Sequence, residues 1–322
     1  MTMLSWRWFV ARIGGAVITL IGVTVVVFIV LRTIPGNAIT ASLGIESGTL
    51  TPAQKASLEH FYGIDKPWVA QLWTWITGAL SGNLGISLTS GKTVSSLLRT
   101  ALPVTVELAV LAAMIGTAAG LLLGVLAGSR PGKVGDSATQ GFALLGLAIP
   151  EFVLGTAVVA ILAQAFHYFP DTGTFVPLTQ SVSGNLSQVL YPALVLAVAF
   201  AANVMRTTRS EYVEMAGADY VRTAEGKGLR PFRVRSAHIL RNAMIPIVTL
   251  TGIQFGYLLG GTVIVEQIFA LPGLGRLLFT SISNRDYPVV QACVLVIAVL
   301  FVVVNLAVDL LYRVIDPRTR AS

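Results

Sequence analysis

Charge is the scarcest resource in this chain. Only 11% of the 322 residues are Asp, Glu, Lys or Arg, while 54% are hydrophobic; an average soluble domain carries about 25% charge. The mean hydropathy is +0.77. With 22 basic and 15 acidic residues the chain cannot cover the outside of a soluble protein of this length, which excludes a soluble enzyme and a disordered polymer. Cysteine is almost missing: Cys293 stands alone, so no intrachain disulfide forms and a disulfide-rich secreted domain is excluded. Histidine is as sparse, and His60, His167 and His238 are too scattered to suggest a metal cluster. Catalytic signatures are lacking too, with no H-E-x-x-H and no G-x-S-x-G. The string Gly91-Lys92-Thr93 looks like the end of a phosphate-binding loop, but Ile86 occupies the position where the motif needs its first glycine. A structural turn is expected there.

What the chain does have is long uncharged runs. Ile13 to Leu31 is 19 residues between Arg12 and Arg32, roughly 28 Å as a helix and close to a bilayer's hydrocarbon thickness. Its Val and Ile content would favour a strand in water, but in lipid only helices and closed barrels satisfy their backbone. The run is too long for a signal-peptide core and no small-residue cleavage site follows, so it reads as an uncleaved span. Leu108–Gly128, Gln188–Met205, Asn242–Val265 and Val289–Val308 are likewise uncharged, and Ser137–His167, apolar apart from Glu151, completes six. The expected fold is therefore all-α and polytopic. In the second span, Gly116-Thr117-Ala118-Ala119-Gly120 through Gly128 sets small residues four apart, the pattern of close helix contact in membranes.

The sparse charge is sorted. Alternate loops hold 15 of the 22 basic residues on one side, eight of them in residues 206–241. By the positive-inside rule both termini face the cytoplasm. The net charge of +7 is then a topology signal, not a nucleic-acid footprint, and no nucleic-acid partner is expected. The chain divides into residues 1–32 (tail and first span), an external segment 33–107 containing Trp68, Trp73, Trp75 and an amphipathic stretch Pro52–Tyr62, and a five-span core 108–322. That core carries a cytoplasmic loop 206–241 and an external loop 266–288.

In the cytoplasmic loop, Glu211 to Glu225 reads as one helix with acids early and bases late, stopped by Gly226, Gly228 and Pro231. Composition leaves open whether it lies on lipid headgroups or meets a soluble partner. A second amphipathic stretch, Phe232–Leu240, leads into the fifth span. In the external loop, Leu271, Pro272, Gly273 and Leu274 form a turn that either caps the membrane or contacts a partner. Glu151, after Pro150 near the middle of the third span, is costly at that depth unless it faces water or a partner. It lines a pathway or fixes helix packing; Gln254 in the fifth span offers the same two readings.

Several strings resemble the integral-membrane permease subunits of ABC importers of the dipeptide/oligopeptide/nickel group. Tyr220 to Leu229, YVRTAEGKGL, is similar to that group's EAA loop, with Arg222, Thr223 and Ala224 at the E-A-A positions and Gly228 at the glycine. The glutamate of the generic motif is replaced by Arg222, so no role of that carboxylate carries over. LRTIPGN (31–37), residues 62–94, LPVTVELAVLA (102–112), IPEFVLG (149–155), FALPGLGRLL (269–278), NRDYPVVQ (284–291) and residues 305–320 extend the likeness. The long first external segment resembles the dipeptide permease B type. The resemblance implies an ABC type I importer permease fold in the inner or plasma membrane, moving short peptides inward, with nickel chelates or glutathione as the alternative cargo. It implies a second homologous permease, two cytoplasmic ABC ATPase domains and an external solute-binding protein as partners. No cofactor is bound by this chain, with ATP and magnesium held by the ATPases, and the chain is not itself an enzyme. Asp219, Tyr220, Arg222, Thr223, Ala224, Lys227 and Gly228 would form a coupling helix seated on an ATPase. A stand-alone secondary transporter or channel is the alternative class, but no internal repeat and only one deep charge are visible.

Overall fold

The computed structural model describes residues 6–33, 51–61, 63, 65–170 and 175–315. The LRTIPGN string beyond Thr33, the external segment up to residue 50 and the basic tail with Arg318 and Arg320 lie outside them. Among the described residues the order is α1 (Trp6–Thr33), α2 (Pro52–Phe61), α3 (Trp68–Leu80), α4 (Val94–Gly128), α5 (Val134–Ala148), α6 (Glu151–Phe166), α7 (Val182–Ala216), α8 (Asp219–Gly226), α9 (Pro231–Arg233), α10 (Arg241–Ile268), α11 (Leu274–Ser283) and α12 (Tyr287–Ile315). A π-helical turn, Val234–Leu240, joins α9 to α10. The described residues contain no strand, only an isolated bridge between Ile86 and Thr93.

Five helices or helix runs are long and apolar enough to cross a membrane, and six if the bent pair α5 and α6 makes one span. The expected third span is thus not straight. Its halves meet at 97°, because Pro150 follows Ile149 and drives that residue into an extended conformation. Glu151 consequently sits in the first turn of α6, where the helix dipole favours a carboxylate.

Contacts divide the chain into two compact units, residues 3–105 with 272–302 and residues 106–271 with 303–322. In the first unit α2 opens on a reciprocal cap, with Gln54 N–H on Thr51 Oγ1 (3.3 Å) and Thr51 N–H on Gln54 Oε1 (2.8 Å). The core of that unit gathers Val94, Leu98 and Ala101 with Leu274, Val289, Ala292 and Cys293. Asp286, almost fully buried, accepts Ser87 Oγ–H and the N–H groups of Leu88 (3.1 Å) and Thr89 (3.3 Å). Gly91, at φ +66°, closes that loop back to the bridge, so the Gly-Lys-Thr string forms a turn around a carboxylate of the same chain.

In the second unit the glycines of α4 define the packing. A Cβ built on Gly116 would lie 2.8 Å from Phe200 Cδ1, one on Gly120 2.6 Å from Val204 Cβ, and one on Gly124 2.5 Å from Thr208 Cβ. At Gly128 the ring of Tyr212 is 3.1 Å away. Four glycines spaced by four meet four residues of α7 spaced by four, so the two backbones approach as the small-residue stripe predicts.

Helices extend past the charge-defined span limits. The α7 helix continues eleven residues beyond Met205, to Ala216, because a charge ends the membrane-embedded part of a helix and not the helix itself. Arg209 therefore belongs to a helix and reaches Asp136, at the start of α5. The guanidinium grips the carboxylate through Nε to Oδ1 and Nη2 to Oδ2 (2.7 Å), and Gly132 N–H (2.8 Å) and Gln140 Nε2 (2.9 Å) complete the shell of Asp136. The bidentate pair fixes α5 on α7.

Candidate functional site

The segment between α7 and α10 departs from the single helix expected over Glu211–Glu225. The α7 helix stops at Gly217, whose N–H reaches Glu214 O (3.1 Å). Ala218 is extended at φ −73° and ψ 146°, which turns the chain and starts an independent eight-residue helix, α8. Asp219 lies in its first turn and satisfies the dipole. Val221 and Ala224, three apart and so on one face, are buried with Tyr212, Val234 and Ile239, and Met215 and Leu229 pack at the edge. Burying a valine contributes about 1.5–3 kcal/mol. The small Ala224 side chain lets the helix lie close on this cluster.

The end of α8 is equally defined. Gly228 donates to Glu225 O (2.8 Å) and Leu229 to Ala224 O (3.3 Å). Gly228 has φ +75°, the left-handed turn that glycine adopts without a Cβ penalty. Tyr220 braces the other side: its hydroxyl donates to His238 O (3.3 Å) and accepts Asn242 Nδ2 (3.2 Å), while Asn242 Nδ2 also donates to His238 O (2.8 Å). This ties α8 to the π turn and the start of α10.

What remains outward is a compact polar face. Asp219, Arg222, Thr223, Lys227 and Gly228 are exposed, and Tyr220 shows one edge. The Asp219–Arg222 pair is long, 3.9 Å, with both side chains largely in solvent, so it contributes little to stability. Arg230, Arg233 and Arg235 continue the basic rim, and Phe232 among them is 82% exposed. Of the seven residues expected here, six face solvent at least in part and Ala224 faces the core. Sequence reading missed Tyr212 and Asn242, which anchor the helix, and Phe232, whose only signal is a lone aromatic inside the basic string PFRVR.

The pathway candidates sit elsewhere in this unit. Glu151 and Gln254 are half-buried on α6 and α10, helices that pack together. Neither makes a hydrogen bond or ion pair among the described residues. The turn after α10 is largely internal. Leu271 is buried in the second unit; Gly273 and Leu274 are buried in the first, where Leu274 N–H donates to Thr105 Oγ1 (2.7 Å). Pro272 is the one exposed residue of those four.

Comparison with known proteins agrees in fold and along the full length. Residues 120–321 match the family of binding-protein-dependent transport system inner membrane components, and residues 3–109 match the corresponding N-terminal family. The dipeptide transport system permease protein DppB of Escherichia coli (strain K12) is 38% identical over 98% of this chain and 98% of its own. A peptide transport system permease protein of Brucella abortus (strain 2308) is 37% identical over 96% of this chain and 97% of its own. The MetNI methionine ABC transporter, solved in inward-facing conformations, shares the fold at a TM-score of 0.51 and 18% identity, covering 68% of this chain and 96% of that one. The chain is a multi-pass inner-membrane permease and belongs to the binding-protein-dependent transport system inner membrane component family.

Proposed function

We propose that this permease forms half of the pathway of an ATP-driven importer for dipeptides and short oligopeptides, with α8 as the helix that couples it to a cytoplasmic ATPase. The observation that carries the reading is the construction of α8: a short helix, separated from α7 by the Gly217–Ala218 break, held from beneath by Val221 and Ala224 and presenting Asp219, Tyr220, Arg222, Thr223, Lys227 and Gly228 outward. A lever must be stiff to transmit force, and the Tyr220–His238–Asn242 contacts make α8 move with α10. Hydrolysis belongs to separate subunits carrying ATP and magnesium, and this chain supplies the seat. A second, homologous permease would complete the pathway, and an external solute-binding protein would deliver peptide. Both termini lie in the cytoplasm, as the sorted basic residues suggest.

Peptide as the cargo rests on the full-length likeness to proteins named for dipeptide and peptide transport. Glu151, a carboxylate at a helix start with no partner among the described residues, is the candidate for meeting a peptide's amino group, with Gln254 on α10, a helix that packs against α6, as a neutral lining group. Pro272 is the exposed point from which the 271–274 turn would touch the binding protein. Replacing Ala224 by proline removes an α8 hydrogen bond and costs about 3 kcal/mol locally. The variant should still insert and assemble yet lose peptide-stimulated ATP hydrolysis in proteoliposomes; full stimulation would reject α8 as the coupling element.

A further inference from the structure

The first unit contains a cavity of about 630 Å³ lined by Arg32, Lys66, Gln71, Trp75, Asn83 and Gln291 together with hydroxyl-bearing, apolar and glycine residues. Its polar chemistry is one-sided. Gln71 Oε1 accepts Arg32 Nε (3.0 Å) and Nη2 (2.8 Å), and Gln71 Nε2 donates to Lys66 O (2.7 Å), so one amide bridges the guanidinium to the backbone of the lysine, while the guanidinium also stacks 3.5 Å over the Phe28 ring and reaches Phe28 O. The indole Nε1–H of Trp75 and the Nε2 group of Gln291 are buried and have no acceptor among the described residues, and Gln291 is only 6% exposed. No lining residue is a carboxylate, and no carboxylate among the described residues pairs with Arg32. Two cations and two unanswered buried donors around one space call for a ligand rich in acceptor oxygens, because an unanswered buried donor is costly.

The surroundings narrow the source of those oxygens. Arg32 lies in the last turn of the apolar amino-terminal span, where its uncharged run ends. The α3 helix beside it contains no charged residue and leaves Trp68, Val69, Trp73 and Leu80 between 53% and 84% exposed. Exposed tryptophans on an uncharged helix are the mark of a membrane–water interface, and a guanidinium at that depth pairs well with the phosphate oxygens of a headgroup. We propose that this cavity binds the phosphate of an anionic phospholipid headgroup, with Arg32 and Lys66 as its cationic partners and Trp75 Nε1–H and Gln291 Nε2 as neutral donors.

The test uses the full chain purified with its accompanying subunits and placed in nanodiscs of phosphatidylcholine with or without phosphatidylglycerol, the retained lipid being counted by native mass spectrometry. Wild type should retain phosphatidylglycerol in preference to phosphatidylcholine. Arg32→Gln and Trp75→Phe, the second keeping the ring and removing only the N–H, should each weaken that retention about tenfold, the scale of one charge-assisted hydrogen bond. Lys92→Gln, on the same unit but outside the cavity, should leave it unchanged. Equal retention in wild type and both variants overturns the proposal and leaves water as the occupant. Protection by inorganic phosphate without selective lipid retention overturns the headgroup assignment in favour of a soluble anion.

Discussion

Replacing Gly120 by alanine gives a prediction whose sign depends on the packing described above. In an ordinary helix the change is favourable by about 1 kcal/mol, because glycine carries the larger entropic penalty. Here the added Cβ would lie 2.6 Å from Val204 Cβ, 2.8 Å from Val204 Cγ1 and 2.9 Å from Ala201 O. The last of these is backbone, so no side-chain rotation relieves it and α4 must move off α7. Overpacking of this kind costs about 1–3 kcal/mol. Separation at Gly120 also opens the adjoining contacts of Gly116 with Phe200 and of Gly124 with Thr208. Gly120→Ala should therefore be destabilising by up to about 2 kcal/mol after the propensity gain is subtracted. The internal control is Gly141→Ala in α5, where an added Cβ meets nothing within 4 Å and the propensity gain should stand. Unfolding in detergent micelles by increasing dodecyl sulfate, followed by circular dichroism, compares the two directly. If Gly120→Ala unfolds at the same or higher denaturant than wild type, in step with Gly141→Ala, the close α4–α7 contact is wrong.

Two further substitutions probe other joints. Asp136→Asn leaves Arg209 facing an amide; removal of one partner from a fully buried pair costs about 3–5 kcal/mol, reduced toward about 2 because 27% of the Arg209 side chain is exposed. Arg209→Met combined with Asp136→Asn should cost less than the two single changes added, measured in the same unfolding assay; strict additivity would refute the pair. Gly228→Ala places a Cβ at φ +75° and should cost about 1 kcal/mol while lowering stimulated ATPase activity with insertion intact. Gly226→Ala, in helical geometry with open space around it, should be neutral to slightly stabilising and leave stimulated activity unchanged.

Much of this architecture is legible before any coordinates. Five uncharged runs and a sixth broken only by Glu151 mark the membrane segments because hydrocarbon tolerates so little charge, and the glycines at 116, 120, 124 and 128 announce a helix seam because their spacing matches the helix repeat. Gly228 is readable as a stop, since a turn with positive φ needs that residue. Other features leave no local trace. Gly217 ends α7 at φ −81°, a conformation open to any residue, so the break that isolates α8 looks like continuous helix. Asp136 and Arg209 are 73 positions apart and meet only through the packing of α5 on α7. The burial of Leu271, Gly273 and Leu274 depends on the elements around each of them, whereas their composition left a membrane cap and a partner contact equally open.

The central claim, that α8 is the surface engaging an ATPase, is open to a direct contact measurement. The one native cysteine, Cys293, is fully buried, so Thr223→Cys introduces a single accessible thiol on the exposed face of α8. Combined with single cysteines along the surface of the associated ATPase, it should form a disulfide cross-link under mild oxidation, and the linked complex should lose peptide-stimulated hydrolysis until reduced. No cross-link from position 223 to any ATPase position, in a complex that still hydrolyses ATP on peptide addition, would contradict the claim.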